Sequence, residues 1–175
     1  MLPSRRISNR RIAACGLITA IAALGLAYSL QYFAGLEPCP LCIFQRMVAA
    51  SFGTVCLIAL IHGPSQLAAR IYAGLAGMVA LIGVAIALRQ VYIMQLTPSA
   101  VPACAPSLGT LIHMMPLHDV VVLVLRGDAS CANVKGSFLG LKLPTWSAIY
   151  FAVLAVASTV TMLRGRSATG NRNMS

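Results

Sequence analysis

Four long, almost uninterrupted apolar runs, 12–34, 42–61, 71–94 and 145–163, constrain this chain more than any other feature. Each is close to the roughly 20 helical residues that cross a hydrocarbon core. Inside lipid, backbone N–H and C=O groups must be satisfied within the segment, so runs of this length are helices. The expected fold is an all-α membrane protein, a bundle of four transmembrane helices in one domain. The remainder divides into a tail 1–11, a short loop 35–41, a turn 62–70, a long loop 95–144 and a tail 164–175. Composition agrees: 59% of the 175 residues are hydrophobic and 9% charged, against about 25% charged in soluble domains. Small residues inside the runs, as in Ala73-Gly74 and Ala76-Gly77, suit close helix contact in lipid.

The first run is too long for the 7–15-residue apolar core of a signal peptide, although Arg5, Arg6, Arg10 and Arg11 precede it. A lipoprotein site at Cys15 is excluded because the apolar run follows that cysteine. The formal charge of +10 comes from 13 Lys and Arg against three acidic residues, Glu37, Asp119 and Asp128. A nucleic-acid binder gathers basic residues on a water-facing surface, whereas these lie mostly in the gaps between apolar runs. Their distribution sets orientation. The two tails and the turn hold Arg5, Arg6, Arg10, Arg11, Arg70, Arg164, Arg166 and Arg172, while the two loops hold only Arg126, Lys135 and Lys142. Both termini are therefore expected to be cytoplasmic, with the loops facing outward.

Four of the six cysteines, Cys39, Cys42, Cys104 and Cys131, then fall in the outward loops or at their edges. The outer face of an inner membrane is oxidising, so disulfides form and persist there. Cys15 and Cys56 lie within helices and read as small buried apolar residues.

The segment Glu37-Pro38-Cys39-Pro40-Leu41-Cys42-Ile43-Phe44-Gln45-Arg46 carries the chemistry. Two cysteines separated by two residues close a small, reversible disulfide ring, and such motifs often hold one thiol as the reactive thiolate. Cys42 falls in the first turn of the second helix, where the helix dipole favours an anion. Arg46 follows four residues later on the same face. An arginine at the bilayer edge is costly and should face a partner; a thiolate and a quinone carbonyl both qualify. A static disulfide and a snorkelling arginine remain open readings of the same residues. Zinc needs four ligands, and Cys104, Cys131, His113 and His118 are irregularly spaced for it, so no metal site is expected.

Cys104 and Cys131 frame the long loop, and joining them constrains the unfolded chain by about 3–4 kcal/mol. That pair is either structural or a dithiol presented to another protein. Pro98, Pro102 and Pro106 surround Cys104, and Gly127 and Gly136 flank Cys131, so the loop is expected to be mobile enough to exchange with Cys39 and Cys42. Within it, 120–125 is too short to span and is expected to lie along the membrane surface. His113 and His118 read as solvated or interfacial, and Met114, Met115 and Trp146 as interfacial anchors.

These residues resemble the DsbB family, inner-membrane proteins that reoxidise the periplasmic thiol oxidase DsbA. The resemblance spans nearly the whole chain. It rests on Pro38-Cys39-Pro40-Leu41-Cys42-Ile43-Phe44-Gln45-Arg46, on Met94-Gln95-Leu96 running into Cys104, and on Cys131 followed by Phe138-Leu139-Gly140-Leu141-Lys142-Leu143-Pro144-Thr145-Trp146. It implies that Cys104 forms the mixed disulfide with the soluble partner and that Cys131 is its pair mate. It implies further that Cys39 exchanges with the loop pair and Cys42 passes electrons to quinone, with Arg46 helping to hold ubiquinone or menaquinone. A short membrane-lying helix at 116–125 is also implied. Cys15 and Cys56 stand outside the four-cysteine pattern. A vitamin K epoxide reductase-like enzyme has its loop pair before the CxxC, the reverse of the order here. A scaffold with two inert disulfides would resist reduction by a soluble thiol and ignore quinone. A transporter is disfavoured because, apart from Arg46 and Arg89 near the outer edge, the runs carry no ionisable residues to mark a polar pathway.

Overall fold

The computed structural model describes residues 3–33, 35, 39–63, 65–96, 110, 113–126, 131, 137–138 and 140–170. Its long helices are α1 (Pro3–Phe33), α2 (Pro40–His62), α3 (Gln66–Ile93) and α5 (Leu143–Gly170). A ten-residue helix, α4 (Leu117–Arg126), lies between α3 and α5 in the chain. Among the described residues, four helical segments are long and apolar enough to cross a membrane: Asn9–Phe33, Pro40–His62, Leu67–Ile93 and Leu143–Leu163. The protein is an all-α, multi-pass membrane bundle. Its outward surface is apolar, with Ile18 64% and Ile61 73% exposed, as lipid rather than water as the outer solvent requires.

The helices overrun the apolar runs that mark them. α1 begins at Pro3 rather than at 12, α3 at Gln66 rather than at 71, and α5 continues to Gly170 rather than to 163. Hydropathy reports where lipid ends, whereas a helix stops only where the backbone is turned. Gly63, with φ 54, supplies that turn after α2; the left-handed conformation suits a residue without Cβ. A two-residue antiparallel hairpin, β1 (Ser137–Phe138) with β2 (Leu141–Lys142), precedes α5 and turns through Gly140 at φ 78. Strands this short leave no periodic trace in the sequence.

In packing, α1 lies on α2, α2 on α3, and α3 most extensively on α5. Small residues let these backbones approach. A methyl group built on Gly83 would stand 2.5 Å from the Phe151 ring, and one on Gly53 3.1 Å from Ala20 Cβ. One core cluster, built on Ala20, Ala49, Phe52, Cys56, Ala80, Phe151 and Leu154, fills the body of the bundle. A second joins Cys39, Leu41, Ile86, Ile93, Val120, Val124 and Cys131. That second cluster is the candidate site. Cys15 departs from its expected place: it is exposed on α1, whereas Cys56 is buried.

Candidate redox site

Cys39 stands at the N-cap of α2 in an extended conformation, with Pro40 at the start of the helix. Proline suits that position because its missing N–H would have no partner in the first turn. The first helical bond runs from Ile43 N to Cys39 O, 3.2 Å. This turn brings the two sulfurs of the motif together: Cys39 Sγ donates to Cys42 Sγ at 3.0 Å. Cys39 is buried and Cys42 half-buried.

Cys131 is fully buried against the same cluster. Hydrogen bonding to Cys131 and to Cys42, with burial added, pushes the Cys39 thiol far above its ordinary range and keeps its proton on. The seat for Cys131 is apolar. Val120 and Val124, one turn apart on α4, face inward with Ile86 and Ile93 of α3 and Leu41 of α2. A thiol flanked by glycine in the sequence looks presentable to solvent; here it is packed like a core residue. Cys104 lies outside the described residues.

α4 is closed at its start by its own first turn and anchored to α3 at its end. Asp119 N and Val120 N donate to Pro116 O at 3.0 and 3.2 Å. Arg89 of α3 reaches the other end, with Nε donating to Leu125 O at 3.0 Å and Nη2 to Arg126 O at 3.4 Å. A cation near a helix C-terminus complements its unsatisfied carbonyls. The same guanidinium lies over the Tyr92 ring, 5.4 Å from its centroid. His118, by contrast, is exposed and pairs with its exposed neighbour Asp119 at 3.0 Å.

Arg46 is half-buried and turned toward α1. Nη1 donates to Gln31 Oε1 and Nη2 to Ala27 O at 3.1 Å, and its guanidinium lies 4.9 Å from the centroid of the Tyr28 ring. It is therefore held by a neighbouring helix rather than extended into water. A guanidinium has five N–H donors, and among the described residues these two hydrogen bonds leave donors for a further acceptor. The adjacent surface is apolar and open, with Tyr32, Phe33 and Met47 all exposed.

Two buried amides beside the cysteine pair escape sequence reasoning. Gln90, completely buried on α3, donates through Nε2 to Cys39 Sγ at 3.3 Å and to Cys42 Sγ at 3.2 Å. Gln45, also buried, donates through Nε2 to Gln90 Oε1 at 2.7 Å. The available signal was an uncharged amide inside an apolar run, which lipid does not tolerate without a partner.

The comparisons with known proteins follow the same outline. The family model "Disulfide bond formation protein DsbB" matches residues 9–161. A Disulfide bond formation protein B of Stutzerimonas stutzeri is 35% identical over 160 residues, covering 91% of this chain and 98% of that protein. The protein of the same name from Acinetobacter baylyi is 40% identical over 158 residues, covering 90% and 92% respectively. That from Chromobacterium violaceum is 38% identical over 150 residues, covering 86% and 90%. With its bundle of apolar helices and cysteines clustered at one end, this chain belongs to the DsbB family and is a multi-pass membrane disulfide oxidoreductase of disulfide bond formation.

Proposed function

We propose that the protein reoxidises a soluble, periplasmic DsbA-like thiol oxidase and passes the electrons to a membrane quinone, ubiquinone or menaquinone. It would sit in the inner membrane with both termini cytoplasmic and the cysteine-bearing segments periplasmic. The observation that carries this reading is the convergence of Cys131 with Cys39 and Cys42. Cys131 comes from a segment some 90 residues away in the chain, yet is buried in one cluster with the CxxC pair. Exchange between disulfides needs sulfur to reach sulfur, and a purely structural CxxC ring would need no third cysteine.

The sequence of exchanges conserves atoms and electrons. A thiolate of the soluble partner attacks Cys104 of the Cys104–Cys131 disulfide, forming a mixed disulfide and releasing Cys131 as a thiolate. The partner's second thiol then displaces Cys104, so the partner leaves oxidised and the loop pair holds two electrons. Cys131 and Cys39 exchange next. The loop pair closes again as a disulfide, and Cys39 and Cys42 become the dithiol. When Cys39 and Cys42 rejoin, they release two electrons and two protons.

A quinone, when bound, supplies the acceptor for that pair of electrons. The residues present suit such a group. Among the described residues Arg46 can offer N–H donors to a carbonyl oxygen, and the Tyr28 ring against it, itself stacked on Tyr32, suits a planar head with an apolar tail arriving through lipid. Arg46 would orient the group, and the apolar seat around Cys131 would keep water from the exchanging sulfurs.

The test is reduction of a quinone by a reduced soluble thiol oxidase, with the purified full chain in detergent as catalyst. Turnover abolished by Cys42→Ser and by Cys104→Ser is the expected outcome. Full quinone turnover in either variant would overturn the electron path, and thiol oxidation without quinone consumption would overturn the acceptor.

A further inference from the structure

A single buried amide serves both sulfurs of the CxxC pair. Gln90 directs its NH2 group at Cys39 Sγ and Cys42 Sγ at 3.3 and 3.2 Å, nearly equal distances. Its side chain is 0% exposed and Gln45 is 8% exposed, so neither amide can turn to water for its hydrogen bonds. An amide can present either its NH2 or its oxygen to a neighbour. Gln45 decides which. By donating to Gln90 Oε1 at 2.7 Å, it occupies the oxygen and leaves the NH2 facing the sulfurs. The relay runs through two helices, from Gln45 on α2 to Gln90 on α3 and back to the cysteines at the start of α2.

We propose that Gln90 is a positioning residue for the redox pair, donating to whichever sulfur carries charge, and that Gln45 acts through it by fixing the orientation of its amide. This rests on the reading of Cys39 and Cys42 as a redox-active pair. The physical consequence concerns the balance between the two states of the pair. Sulfur bearing negative charge accepts N–H bonds far better than the neutral sulfurs of a disulfide. Gln90 therefore stabilises the reduced pair more than the oxidised one and makes the disulfide a stronger oxidant. A neutral donor achieves this in an apolar site without introducing a second charge, whose burial would be costly. The equal reach to both sulfurs matters because the charge moves between them as exchange proceeds.

The measurement is the equilibrium of the Cys39–Cys42 pair of the full-length protein, purified in detergent, with defined ratios of reduced and oxidised glutathione. In that reaction the two protein thiols become one disulfide while one glutathione disulfide becomes two thiols. Alkylation and mass spectrometry of the peptide holding both cysteines give the oxidised fraction. Gln90→Leu removes the donor at similar volume and should shift the equilibrium about tenfold toward the disulfide, equivalent to about 30 mV. Gln90→Glu keeps the acceptor for Gln45 but offers the sulfurs no N–H, so it should shift in the same direction. It also serves if the leucine variant does not fold. Gln45→Leu should shift by about threefold, and the Gln45→Leu/Gln90→Leu double variant should match Gln90→Leu alone.

A merely structural glutamine would lower stability without moving this equilibrium. An unchanged equilibrium in folded Gln90→Leu or Gln90→Glu overturns the role of Gln90. Additive shifts in the double variant overturn the claim that Gln45 acts through it. Failure of the underlying reading looks different: the wild-type pair itself would then not respond to the glutathione ratio.

Discussion

Arg46 is tied to α1 in a way that allows its two possible duties to be separated. Its contacts are Gln31 Oε1, the Ala27 carbonyl and the Tyr28 ring. Interhelical hydrogen bonds in membranes average about 0.6 kcal/mol and reach about 1.7, and a half-desolvated cation–π contact adds about 1–2 kcal/mol. Arg46→Met keeps an unbranched apolar stem and removes all three. The loss is offset because a charge is also removed from the bilayer edge, so the net destabilisation should be about 1–2 kcal/mol. A double-mutant cycle with Gln31→Leu cancels that desolvation term and should return a coupling of about 1 kcal/mol between Arg46 and Gln31. Unfolding of the four proteins in mixed micelles of increasing SDS fraction measures it. The quinone assay supplies the second arm. Losing one charge-assisted hydrogen bond to a carbonyl costs about 1.5–3 kcal/mol, so KM for quinone should rise at least about tenfold in Arg46→Met. Arg46→Lys should fall between, because it keeps the charge and loses the planar fork. Coupling below about 0.3 kcal/mol would refute the clamp, and an unchanged KM would leave Arg46 with no duty beyond joining α1 to α2.

The asymmetry of basic residues between the two sides predicts that a membrane-impermeant maleimide labels Cys104 in intact spheroplasts after reduction. Cys131, which is 0% exposed, should label much more slowly until detergent and denaturant are added; labelling of Cys104 only after lysis would invert the topology. On non-reducing gels, Cys131→Ser mixed with the disulfide form of the soluble partner should give a DTT-sensitive adduct, the Cys104 thiolate attacking that disulfide and releasing the partner's second thiol, and Cys104→Ser should not. An adduct in Cys104→Ser would reassign the sulfur that joins the partner. The hydrogen bonds and burial that hold the Cys39 proton on predict that iodoacetamide at pH 8 modifies reduced Cys39 last among the CxxC pair and Cys104; peptide mapping over time would show otherwise if that environment is wrong. Gly83→Ala places a methyl 2.5 Å from the Phe151 ring and should destabilise by about 1–3 kcal/mol. Gly77→Ala meets only Ser158 Cβ at 3.5 Å and should be tolerated, so equal effects in the same unfolding assay would contradict the α3–α5 packing.

Much of this architecture is written in one dimension, because lipid imposes a length and a composition on anything that crosses it. The four apolar runs translate directly into α1, α2, α3 and α5, whereas Val120 to Leu125, legible by itself only as a helical or extended segment too short to span, lies within helix α4. What the sequence conceals is rotation. Arg46 could be placed one turn beyond Cys42 from spacing alone, yet its contact with Tyr28 and Gln31 depends on how α1 is turned against α2. Gln90 shows the same limit more sharply. One amide in an apolar run signals an unknown partner, and only packing reveals that two sulfurs and Gln45 are its partners. The burial of Cys131 was hidden for a different reason. Its apolar seat is assembled from α2, α3 and α4, and none of those residues neighbours it in the chain.

The grip of Arg89 on the end of α4 has a kinetic consequence. The Leu125 and Arg126 carbonyls are pinned to α3, and Cys131 follows only five peptide steps after Arg126. Five residues reach at most about 17 Å when fully extended. A Cys131 sulfur that leaves its seat during exchange therefore remains leashed within that radius of a fixed point on the bundle. Tethers of this kind hold a group at an effective concentration in the millimolar range. Return of the sulfur to Cys39 is then a first-order event, independent of how much protein is present. A stray soluble thiol at micromolar concentration would lose the race to intercept it by roughly a thousandfold.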